Sequence, residues 1–358
     1  MKIAQVCPRY HPDIGGVETH VKAISERLVK YGLDIEVICT NPFRKSVYGK
    51  TPHREETINE VKVTRFRSIA PNDAFFFAPG IYNYLKNRDY YVIHAHSYHA
   101  FPALFAAFAK KGRKLVFTPY YHGAGHSFIR NILLKSYRPL GARIFKKADK
   151  VVCVSQFELN LIKKHFNVPA SKLIHIPNGI NLDEFRDVKP LERKHKTILF
   201  VGRLEKYKGV QHIIQALPLL EEYRLEIVGT GLYGQELKKL ASKLGVSERI
   251  DWIKELSRAE LLRHYKSADV FVMPSQFEAY GITVAEALAS GVPCIVATGS
   301  ALEEFVDDET CIGMSHPIES ALLASTIESV CSRRANKVKN LMDWDEVVNK
   351  LTKIYDEK

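Results

Sequence analysis

Short apolar runs recur along this chain with room for one helix between neighbours, and this alternation restricts the fold more than any other feature. In the first half, residues 3–7, 35–40, 61–66, 91–95, 115–118, 150–155 and 173–177 read as strands. Between them, 16–31, 100–110, 127–147 and 156–166 carry helical spacing. A polar, turn-rich stretch at 181–196 interrupts the pattern, which then restarts. Strands are expected at 197–202, 224–229, 249–253, 268–273 and 293–297, with helices at 208–220, 232–244, 257–266 and 282–290. A last helical stretch covers 344–355. Parallel strands need crossovers long enough to be helices, so the pattern dictates parallel sheets covered on both faces. The expectation is an α/β chain with two doubly wound, Rossmann-like domains, 1–180 and 197–340, and a linker at 181–196.

The 358 residues suffice for two cores. No apolar run reaches the roughly eighteen residues that a spanning helix needs, and MKIAQVCPRY enters a strand pattern without the apolar centre of a signal peptide. Cys7, Cys39, Cys153, Cys294, Cys311 and Cys331 form no C-x-x-C pair and lie mostly in apolar runs, as free thiols in a reducing compartment do. The expected location is cytoplasmic, including the cytoplasmic face of a membrane. The charge is one-sided. Residues 1–190 carry 30 Lys and Arg against 15 Asp and Glu, whereas residues 191–358 carry 22 against 25, so the net +12 resides in the N-terminal half. Such a field favours an anionic partner.

The stretch MPSQFEAYGITVAEALASGVPC, 273–294, places a loop and a short helix directly after a buried strand. A helix start there directs free amides and positive potential at any ligand beyond the strand end, which suits phosphate. Glu278 and Glu286, eight residues apart, add two carboxylates able to accept from neighbouring hydroxyls. Hydroxyls, phosphates and further hydroxyls in one molecule describe a nucleotide sugar. Arg203 and Lys208 lie in another strand-to-helix turn, with Gly202 and Gly209 permitting close backbone approach. Their charge suits a diphosphate leaving group.

The 273–294 stretch resembles the E-x7-E signature of the retaining glycosyltransferases of family four, which have the GT-B fold. Gly15-Gly16, Asn178-Gly179-Ile180, Val201-Gly202-Arg203-Leu204 with Lys208-Gly209, and Ala287-x-Ala289-x-Gly291-x-Pro293 match in order, so the resemblance covers nearly the whole chain. It implies two domains facing each other across a cleft, with the final segment, 341–358, packed back on the first. It also implies that Arg203 and Lys208 hold the diphosphate, Glu278 the transferred sugar and Glu286 the ribose. Ala279, Tyr280, Gly281, Ile282 and Thr283 would assist through their backbone, and Gly15, Gly16 and Gly229 would approach the donor. The implied activity moves a hexose from a UDP-, GDP- or ADP-sugar to a glycan or lipid-linked hydroxyl with an α linkage, with no metal and no cofactor. Gly299-Ser300-Ala301 departs from the glycine pair of many relatives, so the sugar is not carried over.

On the acceptor side, family members carry T-x-H after a strand, and here the sequence runs Thr118-Pro119-Tyr120-Tyr121-His122-Gly123-Ala124-Gly125-His126. His122 is the candidate catalytic histidine and His126 its rival; Tyr120 and Arg130 are placed beside the acceptor. His94 and His96 read as core or cleft-lining residues. The histidines lack an H-E-x-x-H arrangement, so no metal site is expected. The 127–147 helix mixes Ile132, Leu133, Ile144 and Phe145 with Lys135, Arg138, Arg143, Lys146 and Lys147. It reads either as core or as a contact with anionic membrane; Phe75-Phe76-Phe77 reads either as core or as the border of an acceptor channel. Nucleic acid is not expected, because no reading motif accompanies the basic residues. Two rivals remain. Gly229-Thr230-Gly231-Leu232-Tyr233-Gly234 matches the dinucleotide fingerprint G-x-G-x-x-G, with Asp251 beyond it. A non-catalytic relative serving a partner enzyme is the other.

Overall fold

The computed structural model describes residues 1–42, 53–70, 75–123, 125, 128–307, 309–331 and 341–357; within these, the side chains of residue 42 and of 128–131 are not described. The chain divides into two compact units, residues 1–179 with 344–358, and residues 180–343. The stretch 181–196 belongs to the second unit, where Phe185 is buried against Ile180, Leu262 and Ala285. His126 lies outside the described residues, and of Arg130 only the helical backbone is described.

In the first unit the chain runs β1 (Lys2–Val6), α1 (Gly16–Lys30), β2 (Asp34–Pro42), β3 (Glu55–Ile58), β4 (Val61–Ser68), α2 (Gly80–Lys86), β5 (Val92–His96) and α3 (Phe101–Ala109). It continues through β6 (Lys114–Thr118), α4 (Phe128–Lys147), β7 (Lys150–Cys153), α5 (Gln156–Phe166) and β8 (Leu173–His175). The sheet order is β3-β4-β2-β1-β5-β6-β7-β8. Every pairing is parallel except β3 with β4. Strand β3, EETI, has no apolar run, which is why periodicity does not reveal it; it is a polar edge strand, as edges tend to be. The switch point falls between β1 and β5.

The second unit contains β9 (Lys196–Val201), α6 (Val210–Ala216), β10 (Tyr223–Val228), α7 (Gly234–Lys243), β11 (Ile250–Ile253), α8 (Arg258–Ser267), β12 (Val270–Met273), α9 (Ile282–Ala289), β13 (Cys294–Ala297), β14 (Cys311–Met314) and α10 (Ser320–Val330). Its strands pair in parallel in the order β11-β10-β9-β12-β13-β14. Read by chain position, that is third, second, first, fourth, fifth, sixth, and the switch point lies between β9 and β12. The expected 208–220 helix is shorter, because Gly209 adopts a left-handed φ of 79° before α6 and Pro218 lies in a 3-10 turn after it. Strands β9 and β12 are almost wholly buried, the signature of a sheet covered on both faces.

Helix α11 (Trp344–Asp356) belongs to the first unit and packs against α1. Its apolar stripe buries Trp344, Val347, Val348, Leu351, Ile354 and Tyr355. All six thiols are free, and five are buried. Among the described residues, no helix is long and apolar enough to cross a membrane.

Candidate functional site

At the switch point of the second unit, the loops after β9 and β12 are locked together. Gly209 lies against Pro274 so closely that a Cβ would come within 2.2 Å of the Pro274 carbonyl oxygen. The left-handed φ and the close approach both require glycine. The Gln276 N–H donates to the Tyr207 carbonyl at 2.9 Å, and the Tyr207 and Phe277 rings lie 6.3 Å apart. This scaffold brings Lys208 and Glu278 into an ion pair, Nζ donating to Oε1 at 2.5 Å, with the two side chains 13% and 16% exposed. Arg203 Nη2 donates to the Tyr207 hydroxyl at 3.2 Å and Lys208 Nζ lies 5.6 Å from the centre of the same ring, so Tyr207 links both cations to the loop that carries Glu278. A cation paired with a carboxylate at a strand end can exchange that carboxylate for a phosphate when one arrives.

Beyond Glu278 the chain reaches Gly281, whose φ of 111° turns it into α9. There a Cβ would lie 2.5 Å from Leu302 Cδ2. The first amides of α9, Ile282 and Thr283, have no carbonyl of their own helix to pair with. Glu286 sits on α9, 8% exposed, with both oxygens engaged. Arg258 Nη1 donates to Oε1 at 2.5 Å and the Tyr265 hydroxyl to Oε2 at 2.9 Å. Burial, reinforced by the adjacent Glu286 charge, pushes Tyr265 well above its ordinary range and keeps it a hydrogen-bond donor. Burial opposes the Arg258 charge, but Glu286 and Glu184 outweigh it and hold the guanidinium above its usual value.

Arg258 and Tyr265 escape a reading by motif. Their one sequence signal is the Ser257-x-x-Glu260 capping box, which starts α8. Ser257 Oγ accepts from the Glu260 N–H, and the Glu260 carboxylate accepts from the Ser257 N–H at 2.8 Å, which makes Arg258 the first helical residue.

The glycine fingerprint at 229–234 has a packing explanation. A Cβ on Gly229 would lie 2.0 Å from the Gly202 carbonyl oxygen, and one on Gly231 would lie 2.2 Å from that of Leu204. The Leu204 N–H donates to the Thr230 carbonyl, and the Tyr233 N–H to the Leu204 carbonyl. The loop follows β10, not the first strand of the sheet, and Asp251 is bound by Arg224 at 2.8 and 3.1 Å. These glycines serve close loop packing beside the Gly202–Lys208 turn.

In the first unit, α1 begins at Gly16. Its start is covered by Glu18, whose carboxylate a Cβ on Gly15 would meet at 2.4 Å. Arg9 Nε donates to Glu18 Oε1 at 2.8 Å. The chain therefore supplies its own anion at this helix start. His122 is half-buried and stacks on His99, centroids 4.9 Å apart. Its loop is pinned by the buried Glu158, which accepts from the N–H groups of Tyr121 at 2.5 Å and Val154 at 2.7 Å. Tyr120, a bulky residue with φ 51°, occupies the left-handed region, as does Ser97 at 72°. Such residues mark strain held in place by their surroundings.

His94 and His96 are core residues. The Tyr355 hydroxyl lies 2.7 Å from His94 Nδ1 and accepts from Gln5 Nε2 at 3.3 Å; His94 Nε2 and Thr118 Oγ1 are 2.8 Å apart, and His96 Nε2 and Gln5 Oε1 are also 2.8 Å apart. His20, which the sequence reading missed, lies 2.7 Å through Nδ1 from Asn178 Oδ1, beside Tyr120 and Trp344. Burial pushes His20 down to about 4 and keeps His94 and His96 well below the normal imidazole range. Phe76 is buried, whereas Phe77 is exposed at one edge of a cluster with Phe101 and Phe105.

Comparison with known proteins yields a consistent set. The family model described as Glycosyltransferase Family 4 matches residues 14–184, and that described as Glycosyl transferases group 1 matches residues 181–343. An uncharacterised glycosyltransferase of Methanocaldococcus jannaschii is 28% identical, the match covering 99% of this chain and 98% of the relative. The GDP-mannose:cellobiosyl-diphosphopolyprenol alpha-mannosyltransferase of Komagataeibacter xylinus is 24% identical over 99% of this chain and 93% of its own length. Among solved structures, an Anabaena protein in complex with UDP and glucose superposes with a TM-score of 0.79 at 16% identity, over 100% of this chain and 99% of that one. At that identity the likeness concerns the GT-B fold.

Proposed function

The chain belongs to the group 1, family 4 glycosyltransferases, retaining hexosyltransferases that use nucleotide sugar donors, and from that premise we propose that it transfers a hexose to a glycan or lipid-linked hydroxyl with an α linkage. The second unit holds the donor. Arg203 and Lys208 take the diphosphate, Glu278 the hexose and Glu286 the ribose, with the backbone of Ala279, Tyr280, Gly281, Ile282 and Thr283 between them. Negative charge grows on the leaving phosphate as the glycosidic bond ionises, and fixed cations stabilise that charge more than they stabilise the bound substrate. The leaving phosphate takes the acceptor proton, so no separate strong base is required.

The observation that carries this reading is the Lys208–Glu278 pair at the β9/β12 switch point, where a doubly wound sheet binds its ligand. The acceptor is held by the first unit, through the loop bearing Tyr120 and His122. A phosphate-bearing acceptor suits the basic first half, as does the diphosphopolyprenol acceptor of the Komagataeibacter relative. Contact with anionic membrane through α4 belongs to the same reading. Its support is the exposure of Ile132 and Leu133 beside Lys135.

The test is hydrolysis of UDP-, GDP- and ADP-hexoses without acceptor, followed by release of the nucleoside diphosphate. One donor class should turn over, and NMR of the hexose released to water, recorded before it mutarotates, should show the retained α anomer. Absence of both binding and hydrolysis across the panel would remove the assignment.

A further inference from the structure

Glu286 is held in a way that its proposed role does not require. A lone carboxylate on an exposed helix flank could accept from a ribose, but it would rotate freely and be well hydrated. Here Arg258 and Tyr265 each use one lone pair, on different oxygens, so the carboxylate plane is set from two sides. One acceptor site remains on each oxygen, the arrangement that two vicinal hydroxyls need. Arg258 is itself anchored. Its Nε donates to Glu184 Oε2 at 2.8 Å, Glu184 Oε1 accepts from Asn181 Nδ2 at 2.6 Å, and the guanidinium carbon lies 5.7 Å from the centre of the Phe185 ring. Arg258 thus bridges two carboxylates, one on α9 and one in the 3-10 turn Leu182–Phe185. The planar fork of arginine spans both, which an ammonium cannot.

We infer that Arg258 is a positioning residue for donor recognition: anchored by Glu184, it orients the Glu286 carboxylate so that the enzyme selects a nucleotide carrying a 2′,3′-diol. This rests on the reading of Glu286 as the ribose acid. Arg258 acts through Glu286 and takes no part in the bond-making steps. Its loss should therefore weaken the ribose contact and leave the diphosphate contacts at Arg203 and Lys208 in place.

The experiment measures the dissociation constants of UDP, GDP and ADP and of their 2′-deoxy forms, for wild type, Arg258→Met, Arg258→Lys and Glu184→Gln. Arg258→Met keeps the apolar stem and removes the fork. The wild type should bind the preferred ribonucleotide about 10-fold or more tighter than its deoxy form. Arg258→Met should lose that preference by weakening the ribonucleotide about 10-fold with little change for the deoxy form, and kcat at saturating donor should change less than about 3-fold. Arg258→Lys should restore only part of the preference, and Glu184→Gln, which leaves both bonds to Glu286 intact, should reduce it about 2- to 5-fold. Equal weakening of both nucleotides by Arg258→Met would overturn the inference, since that is what a purely structural or phosphate-binding role produces. Should Arg258→Met fail to fold, Glu184→Gln decides: an unchanged preference overturns the inference. A wild type indifferent to the 2′-hydroxyl would instead sink the assignment of Glu286 itself, a separate result.

Discussion

Two sheets of the same winding carry opposite chemistry around their switch points. In the first unit, Gln5, His94, His96 and Thr118 are neutral groups removed from water and tied to Tyr355 of α11, with His20 and Asn178 beside them. In the second unit, the loops at the β9 and β12 ends hold Lys208 against Glu278, while Glu286 of α9 meets Arg258. The difference teaches how each region can be used. A buried neutral network resists rearrangement, because each bond broken inside it costs about 1–3 kcal/mol, although among the described residues His20 Nε2 and His96 Nδ1 are buried without a partner. It therefore favours a rigid support. The Lys208–Glu278 pair in the strand-end loops can trade one partner for a ligand of the same sign, which favours exchange and binding, whereas Arg258 stays on Glu286 and fixes its carboxylate.

The largest expected effect lies in the second unit. Lys208→Ala should lower the transfer rate about 100-fold, the usual scale for removing one stabiliser of a developing oxyanion. Steady-state kinetics with the preferred donor checks this, and wild-type turnover would break the contrast.

Acid should act first on the first unit. Burial depresses His20 to about 4, so the unfolded chain takes up a proton near 6.5 that the folded state refuses. Stability is complete above that range, falls as pH drops through it, and stops falling near 4. Between pH 7 and 5, His20 alone should cost about 2 kcal/mol, and the depressed His94 and His96 add in the same direction. The chain has two tryptophans, Trp252 in the second unit and Trp344 5.3 Å from His20 in the first. Urea unfolding of a Trp252→Phe protein, followed by Trp344 fluorescence, reads this unit; a midpoint independent of pH from 7 to 5 would contradict the neutral network.

Tyr355→Phe comes next. It strips the hydroxyl from His94 Nδ1 and Gln5 Nε2 and should cost about 1–1.5 kcal/mol in the same urea assay. The rate should stay within about twofold of wild type, and a loss comparable to that of Lys208→Ala would erase the distinction between support and site. The smallest effect is expected for Tyr120→Phe. Among the described residues the buried Tyr120 hydroxyl has no hydrogen-bond partner, so its removal relieves an unmade bond and should leave stability unchanged or raise it by up to about 1 kcal/mol. A loss of stability would show that the hydroxyl is bonded in solution and would sharpen the map of the network.

Much of the fold is local and so could be read along the chain. The 2.0 and 3.6 periods mark most strands and helices, and α5 runs over the expected residues, Gln156–Phe166. Elements that lack such runs stay hidden: polar β3, short α2, and β14, whose Gly313 packs against Thr298. Helix α10 carries helical spacing at Leu323, Ala324, Ile327 and Val330, but no strand run before it signalled another repeat. Two S-x-x-E stretches illustrate the limit. Ser257 and Glu260 form a reciprocal cap. Ser155 caps Glu158 in the same way, yet the Glu158 carboxylate serves Tyr121 and Val154.

What the sequence determined alone is the doubly wound class and the identity of the charged groups at strand ends, because turn chemistry and periodicity operate within a few residues. Tertiary structure decided the pairings. Glu286 meets Arg258 across 28 positions, and His20 meets Asn178 across 158. Strand order sets such distances, and it depends on how whole elements pack rather than on any local pattern.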